Sequence, residues 1–164
     1  MKRIILVRHA KSDWSEEQKS DHERGLNQRG KRDIPLMASI LIQKYPIPEL
    51  ILSSDSNRTQ ATIDGITRLG YKYGRIEYTN ALYLAPVKTF EQEISEVSDT
   101  VSTLLICAHN PGISDFLNHM CPANEFEEFP TLGTALIVLG IDSWKDIFTS
   151  NKNKLVRFDY PRKK

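Results

Sequence analysis

The chain has 164 residues, of which 40% are hydrophobic and 26% charged, so we expect a single domain over residues 1–164 with its own buried core. The formal net charge of +1 gives no reason to expect nucleic acid or a membrane as a partner. Cys107 and Cys121 are too few and too far apart to suggest a disulfide framework or a cysteine-based zinc site.

The first predicted element is a buried strand that ends in charged residues. Residues 4–7 form an apolar run in which three of four side chains are β-branched, which is typical of a central strand in a parallel sheet. This run is too short for a signal peptide, and no stretch approaches the roughly 20 apolar residues of a membrane span, so we expect a cytoplasmic protein. Because the carboxyl ends of parallel strands form the ligand crevice of an open α/β sheet, this strand delivers Arg8, His9 and Lys11 to that crevice.

A helix is predicted after an exposed polar loop at residues 15–23. Asn27 is a suitable N-cap for it, and Pro35 predicts a kink or a restart near Asp33, because proline removes an internal hydrogen bond. The apolar stripe of this helix consists of Ile34, Met37, Ile40, Leu41 and Tyr45.

The remaining predicted elements alternate between strands and helices. Strands are predicted at 50–52, 75–78 and 103–107, and helices at 57–69, 87–97 and 113–120. After a Glu-rich loop, strands at 134–139 and 154–158 have no long helix between them, so they are expected to pair antiparallel at a sheet edge, before a solvated tail at 161–164. This order predicts a three-layer α/β/α sandwich with a mainly parallel sheet and a C-terminal antiparallel edge hairpin.

Three of the predicted strands end near arginine or histidine side chains. The first ends at Arg8 and His9, and the second leads to Arg58 on the opening turn of a helix. A later strand ends at His109, again just before a helix. Right-handed crossovers return parallel strands in the same direction, so these side chains project to one edge of the sheet. Arginine binds phosphate oxygens and helix N-termini favour anions, so the sequence predicts a site for a compact dianion.

An ordered set of motifs extends over nearly the whole chain and resembles a known family. The set comprises Leu-Val-Arg-His-Ala-Lys-Ser-Asp-Trp (6–14), Asp-His-Glu-Arg-Gly-Leu-Asn-Gln-Arg-Gly (21–30), Ser-Ser (53–54) with Arg-Thr (58–59), Ala-Leu-Tyr (81–83) and His-Asn-Pro-Gly (109–112). It is similar to the SixA-type phosphohistidine phosphatases, the small members of the histidine phosphatase superfamily with its phosphoglycerate mutase-like fold.

The resemblance implies a phosphatase in which His9 is the phosphate-accepting nucleophile. It implies that Arg8, Arg58 and His109 bind the phosphate and that no metal or other cofactor takes part. The substrate would be a phosphorylated protein histidine or a small phosphorylated molecule, with inorganic phosphate as product.

Physical chemistry sets two conditions on a nucleophilic His9. Its imidazole must be neutral, and nearby Arg8, Arg58 and a protonated His109 would lower its pKa. One ring nitrogen must be held as an N–H donor, usually by a backbone carbonyl, so that the other keeps its lone pair for phosphorus.

The residue that would protonate the leaving group is not evident. In the superfamily an acidic residue follows the third strand, whereas here Asn80, Ala81 and Leu84 occupy the nearest positions, and Glu77 comes too early. The candidates left open by the sequence are Asp13, Asp21, His109 or no dedicated acid.

Other phosphate-handling classes match the sequence less well. A cysteine phosphatase needs an arginine six residues after its cysteine, where this chain has Ile113 and Glu127. Residues 25–31 resemble a P-loop, but Arg32 stands where the Mg²⁺-binding hydroxyl is required. The alternatives that remain are a phosphomonoesterase for small molecules and a phosphate-binding module without catalytic activity.

Overall fold

The computed structural model describes residues 1–124 and 128–161 and contains a six-stranded sheet with helices on both faces. The strands are β1 (Lys2–Arg8), β2 (Leu50–Ser54), β3 (Arg75–Thr79), β4 (Thr103–Ala108), β5 (Thr134–Leu139) and β6 (Asn153–Asp159). The α-helices are α1 (Gln28–Lys44), α2 (Asn57–Arg68), α3 (Val87–Ser95) and α4 (Gly112–Met120), and two short 3-10 helices lie at Asn80–Leu82 and Trp144–Thr149.

The sheet has the order β3-β2-β4-β1-β5-β6 and changes from parallel to antiparallel beside β1. On one side β1 pairs in parallel with β4, and β4 pairs in parallel with β2. On the other side β1 pairs antiparallel with β5, which pairs antiparallel with β6. The mainly parallel sheet with an antiparallel edge hairpin is therefore confirmed.

Two apolar layers cover the faces of the sheet, and β1 contributes to both. Ile4 and Leu6 pack in the layer that contains α3 and α4, whereas Ile5 and Val7 pack in the layer that contains α1 and α2. All four side chains are fully buried, as expected for a strand in the middle of a three-layer sandwich.

The structure contradicts one alternative predicted for the first helix, and it contains two short 3-10 helices that were not predicted. Of the predicted kink or restart near Asp33, the restart does not occur, because α1 continues through Pro35, which lies on the exposed side of the helix. The 3-10 helix at Trp144–Thr149, whose Trp144 is fully buried, had no sequence signal. The predicted Glu-rich loop and solvated tail fall partly on residues 125–127 and 162–164, which lie outside the described residues. No described helix is long and apolar enough to cross a membrane.

Gly112, the first residue of α4, allows this helix to approach the loop between β3 and α3. A Cβ atom at this position would lie 1.9 Å from the backbone oxygen of Ala85, a contact that only a backbone shift could relieve. We expect Gly112→Ala to lower the free energy of unfolding by about 3 kcal/mol, at the upper end for overpacking. Urea unfolding followed by circular dichroism measures this loss.

Gly25→Ala is the matched control, because a Cβ atom at Gly25 would have no neighbour within 4 Å. Its stability should stay within about 1 kcal/mol of the wild type. Equal stabilities of the two variants would contradict the close approach of α4 and Ala85.

Candidate active site

The register between β1 and β4 brings two histidines to the same edge of the sheet. Arg8 pairs with Ala108, so His9 and His109 leave their strands side by side, with ring centroids 5.3 Å apart. Arg58, on the first turn of α2, approaches the same point from the end of β2. The structure thus brings together the four side chains that the sequence placed at separate strand ends.

These side chains lie at the base of a cavity of about 250 Å³. His9, Arg58 and His109 are only 6%, 4% and 2% exposed, so the charge and the two rings are largely removed from water. The cavity is lined by Arg8, His9, Lys11, Ser12, Trp14, Asp21, Arg58, Leu84, His109, Asn110 and Thr131.

His9 has one ring nitrogen fixed by the backbone. Its Nδ1 lies 2.7 Å from the Ala10 carbonyl oxygen, which can only accept, so Nδ1 carries the proton and Nε2 keeps its lone pair. The expected backbone partner is therefore Ala10. Burial, followed by the charges of Arg58 and Arg8, lowers the pKa of His9 to about 4 despite the opposing hydrogen bond. The imidazole is neutral at pH 7.

His109 is also neutral, which corrects the expectation of a protonated ring. Burial, followed by the neighbouring His9 and Arg58, lowers the pKa of His109 to about 3. Its Nε2 lies 2.8 Å from the Ser54 hydroxyl at the end of β2. If this hydroxyl donates, Nδ1 of His109 carries the proton.

Two buried side-chain nitrogens of residues that line this cavity have no hydrogen-bond partner within the described part of the chain. Among the residues that the structure describes, the buried side-chain atoms without a partner are Arg8 Nε, Arg24 Nε, Thr103 Oγ1 and His109 Nδ1. Arg8 and His109 line the cavity, and the other guanidinium end of Arg8 donates to the Phe129 carbonyl at 2.7 Å. Since buried polar groups normally have partners, this pair indicates a site for an oxyanion.

Asp21 holds Arg58 in place. Arg58 donates to the backbone oxygen of Asp21 at 2.6 Å and to its carboxylate at 2.9 Å, and the Tyr83 hydroxyl donates to the same carboxylate. Burial raises the pKa of Asp21, but the hydrogen bonds from Tyr83 and Arg58, with the Arg58 charge, outweigh it and lower the pKa below its ordinary value. Asp21 is therefore a carboxylate that orients an arginine, and Tyr83, which the sequence identified only as part of a motif, belongs to this group.

The other acidic candidates lie away from the cavity lining. Asp13 accepts a hydrogen bond from the Ser15 amide at 2.9 Å and is not among the lining residues. Glu77 lies on β3, paired with Arg75 at 2.9 Å. From the loop after β3, the residue that reaches the cavity is Leu84, which has a positive φ of 51° and an apolar side chain.

The cavity mouth contains further residues that the sequence did not identify as part of the site. Trp14 is 59% exposed, its indole N–H donates to Ser12 at 2.9 Å, and the Arg24 guanidinium lies 4.2 Å from its ring centre. Thr131 comes from the segment before β5, and no local signal predicted that this segment reaches β1. Within residues 1–124 and 128–161, no group of three or more His, Cys, Asp or Glu side chains could hold a metal ion.

The chain is similar to known proteins over most of its length. Residues 4–82 match the family described as the histidine phosphatase superfamily, branch 1. An uncharacterized protein of Mycobacterium leprae is 31% identical over 167 residues, covering 95% of this chain and 100% of that protein. An uncharacterized chloroplastic protein of Arabidopsis thaliana is 30% identical over 156 residues, covering 90% of this chain and 71% of that protein.

The fold is also similar to that of a solved structure. SixA from Agrobacterium tumefaciens, named as a candidate phosphohistidine phosphatase, superposes with a TM-score of 0.81. The two sequences are 26% identical, and the match covers 98% of this chain and 99% of that one.

The unpaired N–H groups predict that oxyanions stabilise the protein. Inorganic phosphate or tungstate should raise the melting temperature, because an anion that binds only the folded state stabilises it by about 2.7 kcal/mol at 100 times its Kd. Arg58→Ala should remove most of this shift in a thermal melt. Arg32→Ala, on the exposed side of α1, removes the same charge outside the cavity and should retain it. A shift no larger than that caused by chloride at equal ionic strength would argue against an oxyanion site.

Proposed function

Since this chain belongs to branch 1 of the histidine phosphatase superfamily and is a phosphatase, we propose that it hydrolyses phosphohistidine or another phosphoramidate through a covalent phosphohistidine on His9, without a metal ion. Arg8, Arg58 and His109 bind the transferred phosphoryl group. The substrate is a phosphorylated protein histidine or a small phosphoramidate, and the product is inorganic phosphate.

The observation that carries this proposal is the state of the His9 ring. Its Nδ1 is occupied by the Ala10 carbonyl at 2.7 Å, so Nε2 is the nitrogen with an available lone pair. The lowered pKa, about 4, keeps that lone pair free at neutral pH. A neutral and oriented imidazole next to two guanidinium groups is suited to attack on a phosphorus atom.

The reaction takes place in two displacements at phosphorus. His9 Nε2 forms an N–P bond while the bond from phosphorus to the leaving group breaks, and the leaving group departs with that electron pair. Water then attacks phosphorus, the N–P bond returns its electrons to Nε2, and inorganic phosphate is released as H₂PO₄⁻, whose oxygens keep both protons of the water. Arg8 and Arg58, together with a donor N–H on His109, stabilise the charge on the equatorial oxygens in both steps.

The preference for phosphoramidates rests on the lack of a suitable proton donor for the leaving group among the described residues near the cavity. Asp21 is held as a carboxylate by Arg58 and Tyr83, and Leu84 brings an apolar side chain from the loop after β3. A departing alkoxide needs a proton in the transition state, and general acid help of this kind is worth about 10²–10⁴ in rate. When the substrate is a protonated phosphoimidazole, the imidazole departs as a neutral molecule, so the reaction needs no such acid.

A phosphate-binding module without catalytic activity is the less favoured alternative. Binding an anion requires only cations and N–H donors, whereas His9 presents a nitrogen lone pair toward the same cavity, which would repel an anion unless it forms a bond. Covalent labelling of His9 therefore separates the two functions.

His9→Ala should abolish turnover and leave the circular dichroism spectrum unchanged. Loss of covalent catalysis should lower kcat/KM by several powers of ten, roughly 10³-fold or more. In the wild type, a ³²P-labelled phosphoramidate should give an acid-labile, base-stable label that His9→Ala lacks, and EDTA should have no effect. Activity above about one tenth of wild type in His9→Ala would place the nucleophile elsewhere, and restoration by Mg²⁺ or Zn²⁺ after EDTA would contradict the metal-free mechanism.

The rate should also depend steeply on the leaving group. A plot of log kcat/KM against leaving-group pKa for a series of phosphate esters should fall strongly toward alkyl phosphates, because no acid protonates the departing alkoxide. A phosphohistidine peptide should be hydrolysed far faster than phosphoserine or a sugar phosphate. A flat plot would instead indicate a general acid and a phosphomonoesterase, and Asp13→Asn and Asp21→Asn would then identify the acid.

A further inference from the structure

We call the cavity lined by His9, Arg58 and His109 the phosphate pocket. A second and larger cavity, of about 700 Å³, opens beside it. We call it the basic cleft and define it by six of its lining residues, namely Arg8, Lys11, Arg29, Glu128, Thr131 and Tyr160. Arg8, Lys11 and Thr131 line both cavities, so the basic cleft lies directly beside the phosphate pocket.

The position of the basic cleft fits the part of a substrate that does not carry the transferred phosphoryl group. The base of the phosphate pocket is closed by His9, Arg58 and His109, all of which are nearly buried. A phosphoryl group bound there must direct its leaving group toward the open side. The shared wall of Arg8, Lys11 and Thr131 leads from that side into the basic cleft.

The charges in the basic cleft are mostly positive and only partly compensated. Its six defining residues include three cations and one carboxylate, Glu128, which is 74% exposed and lies 3.8 Å from an Arg8 nitrogen. Arg29 has a long contact of 3.8 Å with Asp33, and its side chain is 45% exposed. The Lys11 ammonium has no hydrogen bond or ion pair within the described part of the chain. Lys11 and Arg29 can therefore accept an anionic partner.

Backbone contacts fix these two cations relative to each other. The Asn27 amide donates to the Lys11 carbonyl at 3.0 Å, directly before α1 begins. Gly30 packs against the same segment so closely that a Cβ atom would lie 2.4 Å from the Lys11 oxygen. The start of α1 and the segment after β1 therefore form one rigid unit, so the backbones of Lys11 and Arg29 are held at a set spacing beside the phosphate pocket.

We propose that the basic cleft binds the leaving-group side of the substrate and selects substrates with a second anionic group there, a carboxylate or a phosphate, recognised by Lys11 and Arg29. This inference rests on the proposed phosphatase function and adds a substrate class to it. Glu128, next to Arg8, acts against the binding of such an anion at that end of the cleft. The anion is therefore bound at the Lys11 and Arg29 end.

The test compares matched pairs of substrates that differ in one charge. One pair is 3-carboxyphenyl phosphate and its neutral amide, 3-carbamoylphenyl phosphate, and the other is a phosphohistidine peptide with Glu or Gln beside the phosphohistidine. In the wild type, kcat/KM should favour the anionic member by about three- to ten-fold at low salt, in the range expected for one or two partly exposed ion pairs. The preference should decrease as ionic strength rises, because salt screens exposed charges.

Variants of Arg29 test whether this residue supplies the selectivity. Arg29→Gln should lower the ratio of kcat/KM values toward one, with Lys11 keeping part of the preference, and Arg29→Glu should lower the ratio further. The controls Arg32→Gln and Arg32→Glu change the charge of the same helix outside the cleft and should keep the wild-type ratio. A wild-type ratio near one in both pairs, or equal effects of the Arg29 and Arg32 variants, would overturn the proposal.

The two substrate pairs also distinguish small-molecule from protein substrates, and they test the basic cleft separately from the proposed phosphatase function. A preference confined to the aryl pair identifies small molecules, and one confined to the peptides identifies an acidic flank of a protein substrate. Either result supports anion binding in the basic cleft if Arg29→Gln reduces the preference for the anionic member. If the wild type hydrolyses both members of each pair equally and His9→Ala hydrolyses neither, only the proposed role of the basic cleft is rejected. If the wild type hydrolyses no substrate, the proposed phosphatase function itself is rejected.

Discussion

The parallel pairing of β1 with β4 is the constraint on which the site depends. In this register Arg8 lies opposite Ala108, so the next residue of each strand is a histidine and both reach the same edge of the sheet. The pairing is held at both ends of β1, where the Arg3 amide donates to the Ser102 carbonyl at 3.0 Å and the His9 amide to the Ala108 carbonyl at 3.3 Å. A shift of one residue would bring Arg3 or Arg8 to a position that a fully buried apolar side chain now occupies. The energy of the apolar core thus determines the distance between His9 and His109.

Burial of this edge determines the protonation states of the groups that the pairing brings together. Removal from water disfavours charge, so both histidines have strongly lowered pKa values and are neutral. Arg58 is held in the same place because Asp21 accepts two of its hydrogen bonds, and the Tyr83 hydroxyl in turn donates to Asp21. The cavity therefore combines neutral imidazole rings with a fixed guanidinium group, an arrangement that a solvated cluster of the same residues could not maintain.

Much of the fold and of the candidate site could be predicted from local sequence patterns. Residues 4–7 predicted a strand buried on both faces, and the polar residues directly after that strand marked the ligand edge. Asn27 was correctly predicted as the N-cap of α1, because its side chain accepts a hydrogen bond from the Gly30 amide. The continuation of α1 through Pro35 could not be predicted this way, since it depends on which side of the helix meets solvent.

The sequence by itself determined that Arg8, His9, Arg58 and His109 reach one edge of the sheet, because strand periodicity and the direction of parallel crossovers are local and topological rules. Only the tertiary structure decided what each of them does there. Contacts between segments far apart in the chain pair Asp21 with Arg58 and keep His109 neutral. They also bring Thr131 and Tyr160 to the cleft that Lys11 lines. Hydrogen bonding and desolvation act through distance and burial, which no local pattern of residues specifies.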